Sequence, residues 1–290
     1  MADERFDRTT QDVGNIVALE HVNVKVPDQQ LATVFYVVGL GLTRDPYLMT
    51  GLENMWVNVG QQQFHLPTGP AQVLRGEVGL IIPDFDELPG RLATVKRYLG
   101  ATQFAYTVED KYLRVVSPWG NVFRCHSPGP SFGDMTLGLP YVLFPVEPGT
   151  AEGIARFYRD GFGAAAVVTR NGGGVSARIT VGPQQALIFR ESASPVPVYD
   201  GHHIQIYISS FSGPHRWLAG RGLITEESSW YQYRFQDIVD PETGRVLFTV
   251  EHEVRSLRSP LYLRPLVNRN AAQRQPTYQR GRDAFVPGMS

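Results

Sequence analysis

Residues 35–41 read FYVVGLG and residues 157–163 read FYRDGFG, so Phe35-Tyr36 and Gly39-Leu40-Gly41 return as Phe157-Tyr158 and Gly161-Phe162-Gly163. Val59-Gly60 followed by Gln62-Gln63 likewise returns as Val181-Gly182 followed by Gln184-Gln185. All three pairs keep the same offset of 122 residues, the mark of a duplicated chain. Internal repetition of this kind constrains the fold more strongly than local propensity does.

Each half divides again. HVNVKVPD (His21 to Asp28) is echoed 56 residues later by EVGLIIPD (Glu77 to Asp84), and both read as a short alternating strand running into a helix. Asp28 and Asp84 are candidate N-caps, since a carboxylate can accept from the unpaired amides of a first turn. The first helix places Leu31, Val34, Phe35 and Val38 on one stripe and stops at Gly39. The second carries Leu88, Leu92, Val95 and Leu99 and stops at Gly100, glycine closing a helix in the left-handed conformation. Similar units begin at Tyr141–Val146, with a helix over 150–161, and at His203–Ile208, with a helix over 211–221. Strand-like runs such as Met55–Val59, Gln63–Leu66, Leu113–Val116, Val122–Cys125, Ala186–Phe189 and Val246–Val250 follow the helices. The expected class is α+β: four β-α-β-β-β units forming cupped mixed sheets, in tandem modules over 16–130 and 137–256. A polar segment, 1–15, precedes them, and Ser127–Gly138 is the linker.

Composition narrows the function classes. The formal net charge of -1 over 290 residues gives no reason to expect a nucleic-acid or anionic-membrane partner. No apolar run approaches the roughly 20 residues that span a bilayer, and the polar start lacks a signal-like stretch, so the expected location is the cytoplasm. One cysteine, Cys125, excludes an internal disulfide and any cysteine-rich zinc site, and its apolar parity predicts an inert buried thiol. Residues 257–290 hold six arginines, one aspartate and four prolines with little periodicity. They are expected to form an irregular basic arm on the surface or on a subunit partner, with a lid or anion-binding strap as the alternative.

The stretches LEHVNVKVPDQQLATVFYVVGLGL (19–42), QQFHLPTG (62–69) and SPWGNVFRCH (117–126) in the first half resemble the vicinal oxygen chelate superfamily. So do EGIARFYRDGFG (152–163), HHIQIYI (202–208) and DPETGRVLFTVEHE (240–253) in the second. That superfamily includes glyoxalase I, extradiol dioxygenases, fosfomycin-resistance enzymes, methylmalonyl-CoA epimerase and bleomycin-binding resistance proteins. Its members share a fold and not a reaction, so function rests on the site.

Strand parity puts Val22, Val24 and Val26 on one face and His21, Asn23 and Lys25 on the other. Likewise Ile204, Ile206 and Ile208 oppose His203, Gln205 and Tyr207, His65 shares a face with Gln63, and Thr249, Glu251 and Glu253 oppose Val250. The resemblance implies metal ligands near the start of the first strand and the end of the fourth strand of each unit. The first unit then offers His21 and His65, the second Glu77 and Arg124, the third Tyr141 or Leu143 and Leu187, the fourth His203 and Glu251, or Phe248 if the last strand is counted strictly from Gly244. If the cups form by exchange between modules, His21, His65, His203 and Glu251 come together, and Glu77 with Arg124 closes a dead site. If consecutive units pair, Glu77 and His126 become the alternative ligands. Exchange sorts the residues better. Taking a bulge to restore register in the last strand, Thr249 corresponds to Arg124 and Glu251 to His126.

Such a set suits a divalent ion, Fe, Mn, Ni or Zn. The expectation is a metal-dependent enzyme, an isomerase, lyase or glyoxalase-like catalyst, acting on a small molecule with vicinal oxygens. Glu251 is its candidate proton carrier. Asn23, Lys25, Gln63, Gln205 and Tyr207 are candidate substrate contacts, and Trp56, Trp230 and Tyr233 are candidate stacking residues. Two alternatives stand: an Fe(II) extradiol ring-cleaving dioxygenase using His21, His203 and Glu251, and a metal-free small-molecule binder of the bleomycin-resistance kind. A homodimer is compatible with either, and the sequence fixes neither substrate nor metal.

Overall fold

Alternating strands gather their apolar residues on one face, and here both sheets pack that face against helices. The computed structural model describes residues 7–48, 53–270 and 272–282; residues 1–6 of the polar segment and 283–290 of the arm lie outside the described residues. The first unit is β1 (Ile16–Asn23), α1 (Gln29–Ala32), β2 (Thr43–Arg44), β3 (Asn54–Val59) and β4 (Gln62–Pro67). The second is β5 (Glu77–Ile81), α2 (Leu88–Leu99), β6 (Ala105–Val108), β7 (Leu113–Val116) and β8 (Val122–His126). The third is β9 (Tyr141–Val146), α3 (Ala151–Phe162), β10 (Ala166–Asn171), β11 (Gly174–Gly182) and β12 (Gln185–Glu191). The fourth is β13 (His203–Ile208), α4 (Ser212–Ala219), β14 (Ile224–Ser229), β15 (Gln232–Val239) and β16 (Val246–Ser256).

The units exchange. One eight-stranded sheet runs β14-β15-β16-β13-β1-β4-β3-β2 and joins the fourth unit to the first. The other runs β10-β11-β12-β9-β5-β8-β7-β6 and joins the third to the second. The joints are the antiparallel pairs β1–β13 and β5–β9. Val22, Phe64, Phe123, Phe144 and Ile204 belong to one continuous core with Phe35 and Tyr36 after α1 and Phe157 and Tyr158 of α3. Cys125 is fully buried in it, and burial pushes its thiol up to about 12, as an inert thiol requires. Among the described residues no helix is long and apolar enough to cross a membrane.

Two local expectations fail for identifiable reasons. The first helix is α-helical for four residues and then widens into a π-helix over Thr33–Gly39, so Ala32, Phe35, Tyr36 and Gly39 are the buried positions while Val38 is exposed. A 3.6-residue period cannot follow i→i+5 winding. Asp28 caps α1, accepting from the amides of Gln30 and Leu31 at 2.8 and 2.9 Å. Asp84 caps nothing, because its carboxylate pairs with Arg91 and a 3₁₀ turn starts the second helix. Gly39 and Gly100 are not left-handed; the glycine that closes a helix that way is Gly163, with φ 61°. In α2, Leu88, Leu92, Val95 and Leu99 are all buried, as their spacing predicts.

The C-terminal arm is irregular, as its composition predicts, and lies on this chain. Tyr262 packs on Tyr207 with ring centres 4.8 Å apart, and Tyr278 on Tyr47 at 5.6 Å. Arg264 is buried in an ion pair with the fully buried Asp45.

Candidate metal centre

Register assembles the site. In the first sheet Val22 faces Ile204, with His21 opposite Gln205 and Asn23 opposite His203. This antiparallel joint relates the two units by a local twofold that matches His21 with His203 and Asn23 with Gln205. On the flanking parallel strands His21 faces Gln63 and Asn23 faces His65, while His203 faces Glu251 and Gln205 faces Glu253. The counterpart of His65 is therefore Glu253, and Glu251 is the counterpart of Gln63.

Three imidazoles converge on this cup: one ring nitrogen from each of His21, His65 and His203 lies within 4.8 Å of the others. His21 and His203 are buried, and their Nε2 atoms stand 3.4 Å apart. Two nitrogens bound to one tetrahedral ion at about 2.1 Å are separated by about 3.4 Å. His21 turns Nδ1 to the Glu20 carboxylate at 2.7 Å, and His203 turns Nδ1 toward Glu251 at 3.5 Å. Both rings thus direct Nε2 inward; Glu20 holds the outer nitrogen of His21 by a hydrogen bond, the arrangement that fixes the tautomer of a metal-ligating histidine, while Glu251 stands further from that of His203. His65 stacks on Trp56 at 3.9 Å, receives the Asn23 amide on Nδ1 at 2.6 Å, and meets Asn54 Oδ1 through Nε2 at 2.6 Å. Burial, then the charges of His21 and the nearby arginines, hold His65 and His203 well below the ordinary histidine range, which favours their neutral forms. The His65 lone pair accepts from Asn23, so a metal bound there would displace that amide.

Glu251 gives one oxygen to Arg234 (2.5 Å) and the other to Gln236 (3.2 Å). Glu253 Oε2 lies 3.7 Å from the inward His203 Nε2 and 2.6 Å from Arg234. Neither carboxylate belongs to the 4.8 Å group of imidazoles. Arg255 joins Glu253 at 2.5 Å and Glu20 at 3.6 Å. Burial raises the Glu20 carboxyl, but the His21 hydrogen bond and the charges of His21, Arg255 and Arg264 outweigh it and hold the group below the usual range. The ladder thus sets three carboxylates, Glu20, Glu251 and Glu253, against two guanidiniums, Arg234 and Arg255, beside the imidazoles. Gln205 is fully buried next to them, and neither its amide oxygen nor its nitrogen has a hydrogen-bond partner. An unsatisfied buried polar group costs about 1–3 kcal/mol, a cost that a bound ligand could remove.

The other expected contacts divide. Asn23 positions His65. Gln63 is tied to Asp45 at 2.7 Å and to Asn58 and Arg264. Tyr207 lines a cavity of about 360 Å³ with Glu20, Gln63, Leu261, Tyr262, Leu263 and Arg264. That cavity touches Glu20 and Gln63, the neighbours of His21 along and across the strand, but no imidazole lines it. Lys25 falls beyond the end of β1 and is exposed, so its ammonium is not placed in the cup. Trp230 is 94% exposed on the β14–β15 turn, and Tyr233 is buried against Phe211 and His215, so only Trp56 of the three stacking candidates reaches the imidazoles.

The second cup lacks a ligand set. Its equivalent positions hold Glu77, Arg124, Tyr141 and Ile188, the last replacing the expected Leu187, which is core. Glu77 pairs with Arg124, and His126 Nε2 meets the Tyr141 hydroxyl at 2.8 Å, so these alternative ligands are engaged elsewhere. Gly79 holds the place of Asn23, and a Cβ there would lie 2.6 Å from the Tyr141 ring that fills the space. The match of Thr249 with Arg124 is corrected by the same registers: Arg124 faces Gly79, so its counterpart is Glu253.

Glu20 was hidden from parity counting by a register shift between Leu19 and His21, which brings two successive side chains to one site. Glu253, Arg255 and Arg234 were legible only as alternating charges.

Two open cups, each built from one unit of either half of the chain, decide the fold. The chain has the vicinal oxygen chelate fold. Glyoxalase I from Zea mays superposes with a TM-score of 0.58 at 13% identity, over 87% of this chain and 95% of that one. A protein from Bacillus subtilis subsp. subtilis str. 168 described as a "putative dioxygenase" superposes with a TM-score of 0.54 at 14% identity, over 84% and 86%. No family model and no curated protein matches the sequence.

Proposed function

We propose that this vicinal oxygen chelate protein is a divalent-metal-dependent enzyme acting on a small molecule with adjacent oxygens, in an isomerase, lyase or glyoxalase-like reaction. The supporting observation is the 3.4 Å separation of two inward Nε2 atoms whose outer nitrogens face carboxylates. The donor set we assign is His21, His65 and His203 with the carboxylate of Glu253, the register partner of His65. A bound divalent ion would polarise substrate oxygens as a Lewis acid. Fe, Mn, Ni and Zn all accept such nitrogen and oxygen donors.

Glu251, the carboxylate that the sequence pattern favours, takes the role of orienting His203. In this reading Glu253 is the proton carrier, since its Oε2 lies 3.7 Å from His203 Nε2, and taking up a proton loosens its ion pairs with Arg234 and Arg255. The cavity of about 360 Å³ is sized for a small molecule and offers Gln63 and Tyr207 beside the aliphatic side chains of the arm. Four donor-capable positions favour isomerisation or lysis over oxygen-dependent ring cleavage, which needs more open coordination positions. The test supplies metal-loaded protein with either 2-oxoaldehyde–thiol adducts or catechols. Isomerisation of the adducts without oxygen uptake supports the reading. Stoichiometric oxygen uptake with catechols would replace it by the dioxygenase alternative, and inactivity toward both would remove this substrate class.

A further inference from the structure

The second cup carries cations where the first carries imidazoles and carboxylates. On its concave face the strands carry Arg124 on β8, Arg114 on β7, Arg178 on β11 and Arg190 on β12, against one carboxylate, Glu77, which Arg124 occupies. Arg114 stands directly opposite Arg124. Arg178 stands opposite Ile188 and Arg190 opposite Ser176, which makes the two arginines diagonal neighbours. Like charges so placed across a sheet destabilise it. The arrangement is nonetheless ordered: the local twofold that relates Arg124 to Ile188 also relates Arg114 to Arg178, so one guanidinium rises from each wall. In the first cup the same two positions hold Trp56, opposite His65, and Arg234, opposite Glu253. There the arginine is neutralised by two carboxylates. In the second cup the guanidiniums of Arg114, Arg178 and Arg190 have no ion-pair or hydrogen-bond partner among the described residues.

The floor between the walls is not bare. Tyr141 lies over Gly79, and Tyr112 stacks under the Arg124 guanidinium at 4.8 Å. A cavity of about 330 Å³ at one end of the face is lined by Arg75, Glu77, Arg124, Leu143 and Pro145, and not by Arg114 or Arg178. Guanidinium forks flanked by rings and aliphatic surface suit an anion carried on an organic body, since arginine pairs two-pronged with phosphate or carboxylate.

We propose that the concave face of the second sheet is a binding site for a small organic dianion, a phosphate ester or a dicarboxylate, with Arg114 and Arg178 as its two walls. Calorimetric titration of the whole chain at low salt, with inorganic pyrophosphate and succinate as probes, tests this. One saturable site is expected for at least one probe, and the probe that binds better identifies the source of the charge. Arg114→Gln and Arg178→Gln should each weaken it about tenfold or more, the loss of a charged hydrogen bond, with unchanged circular dichroism. Arg97→Gln, an exposed helix arginine, should leave affinity unchanged, and so should His203→Ala, which tests whether the anion sits in the first cup instead. The proposal falls if neither probe saturates, if Arg97→Gln costs as much as Arg178→Gln, or if His203→Ala abolishes binding. Tighter binding of a single-stranded oligonucleotide than of either probe would equally overturn the small-ligand assignment.

Discussion

Replacing Arg264 by alanine should release the C-terminal arm from the first cup. The Arg264 side chain is 2% exposed and its partner Asp45 fully buried. Removing one member of a buried ion pair typically costs about 3–5 kcal/mol, because the other charge is left uncompensated. Asp45 keeps the Tyr47 amide at 2.9 Å and the Gln63 amide at 2.7 Å, so the lower end, roughly 3 kcal/mol, applies here. Undocking would rehydrate Asp45, so the cost appears as opening of the arm before unfolding of the sheet. Among the contacts that remain are the aromatic pairs Tyr262 on Tyr207 and Tyr278 on Tyr47, which add only about 0.5–1.5 kcal/mol each beyond their burial, and the Tyr47 hydroxyl on the Val267 carbonyl. Calorimetry should show a melting temperature lower by roughly 6–12 °C, at the usual 2–4 °C per kcal/mol for large domains. Trypsin should cut the arm at Arg258, Arg269 or Arg274 before it cuts the sheets. Replacing both partners, Asp45→Leu with Arg264→Met, should restore most of the loss, because no charge is then stranded. A melting temperature within 1 °C of the parent and an unchanged digestion pattern for Arg264→Ala would refute the argument.

Glu20→Gln removes the charge behind His21 Nδ1 and should weaken metal affinity about 10- to 100-fold, the usual cost of losing such a partner, as read by competition with a chelator; unchanged affinity would show that Glu20 does not support the site. Burial pushes His252 down to about 3, against an ordinary 6.5, while its Nδ1 bond to the Val250 carbonyl opposes the shift. The unfolded chain therefore takes up a proton that the native one refuses, and stability is lost as pH falls from 6.5 towards 3, by on the order of 5 kcal/mol at the acid end. His252→Phe, stacking on Phe235, should flatten that slope in urea melts at pH 4–6.5, and an unaltered slope would assign it to other groups. Cys125, buried with its thiol up at about 12, should stay unmodified by a thiol reagent until the chain is denatured; stoichiometric labelling of native protein would contradict its burial.

Much of this arrangement was legible in the residues. The FY…GxG repeat announced duplicated units, and the clustering of His21, His65 and His203 in units one and four, against Glu77 and Arg124 in unit two, pointed to exchange because only exchange separates donors from cations. Parity placed those imidazoles on the concave face because each strand buries its valines, isoleucines and leucines on the other. What escaped was what depends on phase. The shift at Glu20 sets a carboxylate beside His21 from a position that alternation assigns to the core side. The longer DPETG turn and the bulges pairing β15 to β16 move the matching carboxylate from Glu251 to Glu253. The π-winding after α1 rotates the buried stripe off its expected residues. Long-range pairs such as Asp45 with Arg264, 219 positions apart, leave no periodic trace at all.

In the proposed function one divalent ion is held by residues of the first and fourth units. Metal analysis of protein purified without chelators, alongside His21→Ala, His203→Ala and Glu77→Ala, tests it most directly. The account predicts one ion per parent chain, its loss in both histidine variants, and its full retention in Glu77→Ala. Metal that survives the loss of His203 but disappears with Glu77, or a parent chain that binds no added ion, would contradict it.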